Sequence, residues 1–251
     1  MVSITAVIIT LNEERNIERC IRSLRSIADE IIVVDSFSTD RTEEICRTLG
    51  VRFVQHKFEG YLEQKNYAWS LAAHDYVLSI DADEELSEPL RKSILEAKQN
   101  PMADGYTMNR LNNYCGQWIK HCGWYPDKKL RLAKKNYVHW GGENPHDKLL
   151  LHPGGIIRHL SGDLLHYSFS THEEYRHQQK KFAEISAASY FKRGKRVSFL
   201  YPFLSGALKF LRNYFLNRGF LDGAVGWRIC TTAARATFLK YKKLRELSSG
   251  K

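Results

Sequence analysis

Tyr76-Val77-Leu78-Ser79-Ile80-Asp81-Ala82-Asp83-Glu84 decides the fold. Its apolar start reads as a strand buried on both faces, and it stops abruptly in carboxylates. The same plan recurs upstream. Ile4 to Thr10 is a continuous β-branched run followed by Leu11-Asn12-Glu13, and Ile31 to Asp35 is another, followed by Ser36. Val51 to Val54 reads as a further strand. Helical periodicity fills the gaps: Ile17, Ile21 and Leu24 recur at spacings of three and four, and Leu62 to Ala73 reads as a helix. Asn12 is placed to cap the first helix, with Glu13 and Glu14 in its first turn. Asp40 with Glu43 suggests a capping box for a helix ending at Gly50, and Ser87 caps one closed by Asn100-Pro101. Strands alternating with helices predict an α/β fold with a mostly parallel central sheet flanked by helices.

In open α/β sheets ligands bind outside the carboxyl ends of the strands. A single acid after a strand is most often a turn or a cap. Three polar tips brought to one sheet edge mark a site. Asp81 and Asp83, one residue apart, suit a hard divalent cation and the phosphate oxygens that share it. The sequence holds no GxxxxGK[ST] and no GxGxxG, so a diphosphate here would need Mg²⁺ or Mn²⁺ to neutralise its charge.

Beyond Pro101 the rhythm breaks into shorter alternating pieces from about residue 105 to 151, rich in Gly, Asn and Trp. From Thr171 helical spacing returns, with Tyr175, Phe182 and Ile185 on one face. Hydrophobic residues make up 43% and charged residues 26% of the 251, which predicts a globular chain. The five cysteines are scattered, with no CxxC pair, as expected of free thiols in a reducing compartment. No basic stretch followed by an apolar core opens the sequence, and no stretch reaches the roughly 18 apolar residues of a bilayer span. A cytoplasmic location is the expectation.

Four segments together resemble glycosyltransferase family 2, inverting enzymes with a nucleotide-diphospho-sugar transferase (GT-A type) fold. They are Val7-Ile8-Ile9-Thr10-Leu11-Asn12-Glu13-Glu14, Ile32-Val33-Val34-Asp35-Ser36-Phe37-Ser38-Thr39-Asp40, Gln64-Lys65-Asn66 and Val77-Leu78-Ser79-Ile80-Asp81-Ala82-Asp83-Glu84. Gly123-Trp124-Tyr125-Pro126-Asp127, Leu130-Arg131-Leu132, Pro145-His146-Asp147-Lys148-Leu149 and Leu165-His166-Tyr167-Ser168 are similar to one bacterial branch, the lipopolysaccharide core β-1,4-glucosyltransferases. The resemblance implies a UDP-sugar donor and a divalent cation. It implies that Thr10, Asn12 and Glu13 line the nucleoside pocket, Asp35 contacts the uracil, and Lys65 and Asn66 lie near the nucleotide. Asp81 would reach the ribose or the metal's water, and Asp83 would bind the metal. His166 would ligate the metal or touch the diphosphate, although a lone histidine is more often a packing residue. Arg131 would stabilise the leaving phosphates or simply edge a strand. The acceptor hydroxyl needs a general base, for which Asp147 is favoured over Glu143; the branch more often carries glutamate at the Asp147 position. Trp118, Trp124 and Trp140 are candidates for stacking on sugar faces, or for core.

The basic excess sits in one place. Residues 192–251 hold 14 Lys and Arg against Asp222 and Glu246, which puts +12 there and −2 on the remaining 191 residues, out of a formal +10. Phe199, Leu200, Phe203, Leu204, Ala207, Leu208, Leu211 and Phe215 form an apolar stripe at spacings of three and four, interrupted by Lys209 and Arg212. That pattern predicts a C-terminal amphipathic helical extension lying in a membrane interface, or packing on the rest of the chain. The expected division is 1–194, binding nucleotide-sugar and carrying catalysis, and 195–251, a basic membrane-associating tail. The expected activity is glucosyl transfer to the lipopolysaccharide inner core at the cytoplasmic face of the inner membrane, with a polyprenyl phosphate or another surface glycan as alternative acceptor. A basic nucleic-acid-binding protein is the reading from another class. The charge is not interleaved with base-reading motifs, so no nucleic-acid partner is expected.

Overall fold

The computed structural model describes residues 1–142 and 147–249. The chain divides into two compact units, 1–110 with 127–166 and 111–126 with 167–251.

The chain opens with the alternation the sequence predicts, β1 (Ile4–Thr10), α1 (Ile17–Leu24), β2 (Glu30–Asp35), α2 (Thr42–Thr48), β3 (Arg52–Gln55), α3 (Tyr61–Ser70) and β4 (Tyr76–Asp81), then adds a short strand the pattern does not predict, β5 (Glu84–Leu86), before α4 (Glu88–Gln99). β6 (Gly105–Tyr114), β7 (Gln117–Ile119), β8 (Asp127–Lys134), β9 (Val138–Gly141), β10 (Lys148–Leu151) and β11 (Ile157–Phe169) follow. The main sheet runs β3-β2-β1-β4-β8-β6-β11-β5. Its first four strands are parallel; β8 pairs antiparallel with β4 and β6, and β11 antiparallel with β5. The sheet is therefore mixed, parallel where crossover helices separate the strands and antiparallel where short loops do.

Both faces of the parallel half are covered, which explains its unbroken apolar runs. Ile4, Ala6 and Ile8 pack with Ile17, Ile21 and Leu24 of α1 and Leu90 and Ile94 of α4. Val7 turns the other way, to Val34, Val77 and Ala68 and Trp69 of α3. Ser87 caps α4 as expected, its hydroxyl accepting from the Leu90 N–H.

Two capping expectations fail. α1 starts only at Ile17, with Asn16 at its N-cap position. Asn12 instead takes a left-handed backbone (φ 56°) and its amide oxygen accepts from the Thr39 N–H at 2.8 Å, so it is spent holding two loops together. Asp40 accepts from the N–H and hydroxyl of Thr42 and from the Glu14 N–H, and no reciprocal box with Glu43 forms.

In the second unit β7 pairs with the last residues of β6. α5 (His172–Lys192) is held by a capping box between Thr171 and Glu174. α6 (Tyr201–Leu211) runs on through a π turn at Arg212–Leu216, and α7 (Gly223–Ser248) packs on both α5 and α6. α5 buries Tyr175, Ala183 and Ala187, whereas Phe182 and Ile185 are exposed, against the face predicted from sequence. Gly206 brings α6 close to α7: a Cβ there would lie 3.2 Å from the Ala234 carbonyl oxygen. The opposite side of the helix leaves Leu204, Leu208, Leu211 and Phe215 between 49% and 64% exposed. Among the described residues, no helix is long and apolar enough to cross a membrane.

Candidate functional site

The parallel order β2-β1-β4 puts Asp35, Thr10 and Asp81 in register at one sheet edge, with Thr10 opposite Asp35 and Ile9 opposite Asp81. The turn after each strand is built by its own polar residues. Asp35 is fully buried and accepts from both the N–H and the hydroxyl of Ser38. The Asn12 N–H donates to that same Ser38 hydroxyl at 2.7 Å, and the Glu13 N–H donates to the Thr42 hydroxyl at 2.9 Å.

Asp81 stands between two cations. Its carboxylate accepts from Arg131 at 3.0 Å and lies 3.5 Å from the Lys65 ammonium. Burial pushes its pKa up, but the Arg131 and Lys65 charges outweigh that and hold the carboxyl far below the usual range. Arg131, 4% exposed on β8, also donates at 2.9 Å to Glu84, whose side chain is wholly buried. Glu84 in turn accepts from the Asp81 N–H at 3.0 Å, fixing the strand tip. Lys65, on α3, bonds Asp147 at 2.6 Å and lies 4.6 Å from the centre of the Trp140 ring. Asn66 exchanges two hydrogen bonds with the Trp140 backbone, so its side chain holds β9 in place.

Asp83 lies 3.0 Å from His166 on β11, the strand paired with β5. Burial opposes protonation of this imidazole, but the Asp83 carboxylate beside it raises its pKa overall. Glu13 belongs to the same field. Its pKa rises, first through burial and then through the Asp83 charge, against a lowering hydrogen bond from Asn16.

The sequence thus brings Thr10, Glu13, Lys65, Asp81, Asp83, Arg131, Asp147 and His166 into the first unit. The two aspartates of the motif part ways: Asp81 is committed to Arg131 and Lys65, Asp83 to His166. Among the described residues, no three His, Cys, Asp or Glu side chains are clustered as a metal centre. Two carboxylate oxygens and an imidazole nitrogen are still a donor set suited to a divalent cation. Several buried polar atoms have no hydrogen-bond partner among the described residues: Thr10 Oγ1, Asp81 Oδ1, Nε and Nη1 of Arg131, and Trp140 Nε1. Orphaned groups suit a polar ligand. A bound group carrying oxygens would satisfy these donors. Glu143 lies outside the described residues. Of the three tryptophans proposed for stacking, Trp140 lies in the first unit. Trp118 meets Tyr167 edge-on and Trp124 joins an aromatic cluster with Tyr114, Phe169 and Tyr175, all in the second unit. Sequence reasoning did not single out Glu84 or Ser38; a carboxylate directly after the motif and a hydroxyl three residues after Asp35 were the available signals.

The model of the family described as Glycosyl transferase family 2 matches residues 5–149. An uncharacterized glycosyltransferase of Rickettsia typhi is 34% identical over 258 residues, covering 99% of this chain and 88% of that protein. The lipopolysaccharide core biosynthesis glycosyltransferase LpsC of Rhizobium meliloti is 28% identical, over 96% of this chain and 91% of its own length. Among solved structures, S. aureus TarS 1-349 in complex with UDP-GlcNAc aligns at TM-score 0.48 and 14% identity, over 99% of this chain and 92% of that one.

Proposed function

The chain belongs to glycosyl transferase family 2, and from that premise we propose that it is an inverting, metal-dependent enzyme moving glucose or a related hexose from a UDP-sugar to the lipopolysaccharide inner core. The observation that carries this reading is the set of buried polar atoms on Thr10, Asp81, Arg131 and Trp140 that have no hydrogen-bond partner among the described residues. The acceptor class rests on the likeness to LpsC along nearly the whole chain.

In this reading Thr10, Asn12, Glu13 and Asp35 form the nucleoside end of the site. Asp83, Asp81 and His166 would hold Mg²⁺ or Mn²⁺, which supplies charge neutralisation for the departing diphosphate. Arg131 faces the same phosphates. Asp147, oriented by Lys65, takes the proton of the acceptor hydroxyl while its oxygen bonds to the anomeric carbon. The bond from that carbon to the diphosphate breaks on the opposite side, which inverts the configuration. The exposed stripe Leu204, Leu208, Leu211 and Phe215, with the basic excess of residues 192–251, would seat the enzyme on the anionic cytoplasmic face of the inner membrane.

The test is UDP release across a panel of UDP-sugars, with wild type and Asp83→Ala, in Mn²⁺ and in EDTA. Release requiring both metal and Asp83 is expected. Release unchanged by EDTA would sink the metal mechanism, and no release with any UDP-sugar would sink the donor assignment.

A further inference from the structure

The second unit holds an open cavity of about 290 Å³ lined by α5, α6, α7 and the loop at 122–124. That is the lower end of small-ligand sites, room for a compact group rather than a long chain. Lys209 and Lys240 line it together with Gln179, Ser186 and Thr237, and with aromatic rings that include Trp124. No described carboxylate lies within ion-pairing distance of either lysine. Lys240 rests 4.4 Å above the Tyr241 ring and 5.2 Å from Tyr190, and Lys195 uses the same two rings at 5.4 and 4.5 Å. Lys195 and Lys209 both act on Lys240, and among the described residues no carboxylate pairs with any of the three. Burial lowers the pKa of Lys209 and Lys240. The neighbouring cations lower them further, Arg212 acting on Lys209, and Lys195 and Lys209 on Lys240.

Folding that concentrates like charges at a partly desolvated cavity costs free energy that a bound anion returns. The charge count selects the anion. Two ammoniums lining one cavity are matched by a group carrying about −1.5 to −2, which is a phosphate monoester, whereas one carboxylate leaves a cation unpaired. The amide and hydroxyls of Gln179, Ser186 and Thr237 can donate to the remaining phosphate oxygens, and Trp124 offers an apolar wall to whatever carries the phosphate.

We propose that this cavity is a binding site for a phosphate monoester, held by Lys209 and Lys240, separate from the residues assigned to sugar transfer. The proposal does not rest on the transferase reading. Two sources share the chemistry, a soluble phosphorylated metabolite and a phospholipid headgroup, and the two arms of the test tell them apart.

Calorimetric titrations in EDTA use inorganic phosphate and glycerol 3-phosphate in one arm, and phosphatidylcholine vesicles with and without phosphatidic acid in the other. Saturable binding is expected in at least one arm. Lys209→Gln and Lys240→Gln should each weaken it about tenfold, with Lys→Arg at either position restoring most of it and Asp83→Ala leaving it unchanged. Binding of glycerol 3-phosphate identifies a soluble ligand, and binding only to phosphatidic acid vesicles identifies a headgroup. A readout on the unsubstituted chain accompanies the titrations: the ligand should shield Lys209 and Lys240 from acetylation, read by mass spectrometry. Binding equal in the wild-type and both glutamine variants, unshielded lysines, or no saturable binding in either arm would overturn the proposal.

Discussion

Lys65 is 8% exposed and lies between two carboxylates, 2.6 Å from Asp147 and 3.5 Å from Asp81. It thus bears on both the acceptor side and the donor side of the proposed reaction. Replacing Asp147 with Asn should leave the fold intact and reduce kcat by about 10²–10⁴-fold, the range for a lost general base, measured as initial rates of UDP release. Glu84 answers a different question. It is a wholly buried anion under Arg131, so Glu84→Gln leaves part of a buried positive charge unpaired and should cost about 3 kcal/mol in urea unfolding. Asp81 contributes to the acid limit. Its folded pKa lies below the unfolded value near 3.9, so its contribution is present above that value and disappears as pH falls through the folded pKa. Melting temperature against pH should therefore show a shallower acid limb below about pH 4 in Asp81→Asn, with wild type and variant parallel between pH 6 and 8. The residues of the motif were legible because their types suit the chemistry. Their division of labour was not, because Arg131 and His166 reach Asp81 and Asp83 from strands 50 and 83 residues further on.

The parallel strands were readable as elements because burial on both faces leaves no polar position in Ile4–Thr10 or Tyr76–Ile80 beyond Thr5, Thr10 and Ser79. α5 was misjudged for a physical reason. Periodicity weighs large side chains, while the buried positions further along α5 are the small Ala183 and Ala187, Ala187 packing with Tyr241 and Leu244 of α7. Asn12 was misjudged because a helix cap and a loop brace use the same amide oxygen, and the partner N–H of Thr39 is distant in sequence. The antiparallel strand β11 carries its own constraint. Gly162 has φ +94°, and a Cβ there would fall 2.3 Å from the Leu90 backbone nitrogen at the start of α4. Gly162→Ala should destabilise by roughly 1–3 kcal/mol, seen as an earlier urea midpoint with an unchanged slope.

Charge and exposed apolar surface are both concentrated near the C-terminal end of the molecule. Residues 192–251 carry the whole basic excess, and the outward stripe of α6 has no cover among the described residues. Sedimentation with anionic vesicles should fall with added salt and drop about tenfold or more in Leu208→Asp, because one leucine's burial is worth about 1.5–3 kcal/mol. Neutral vesicles should bind far less. The pairing of Asp83 with His166 has a further consequence, one of timing. The ribosome delivers the aspartate 83 residues before its imidazole neighbour, and β5 gains its strand partner only when β11 emerges. Closing so long a loop is entropically dear. A nascent chain therefore carries its strand-tip carboxylates long before His166 can join Asp83, and the pair is complete only once synthesis has passed residue 166.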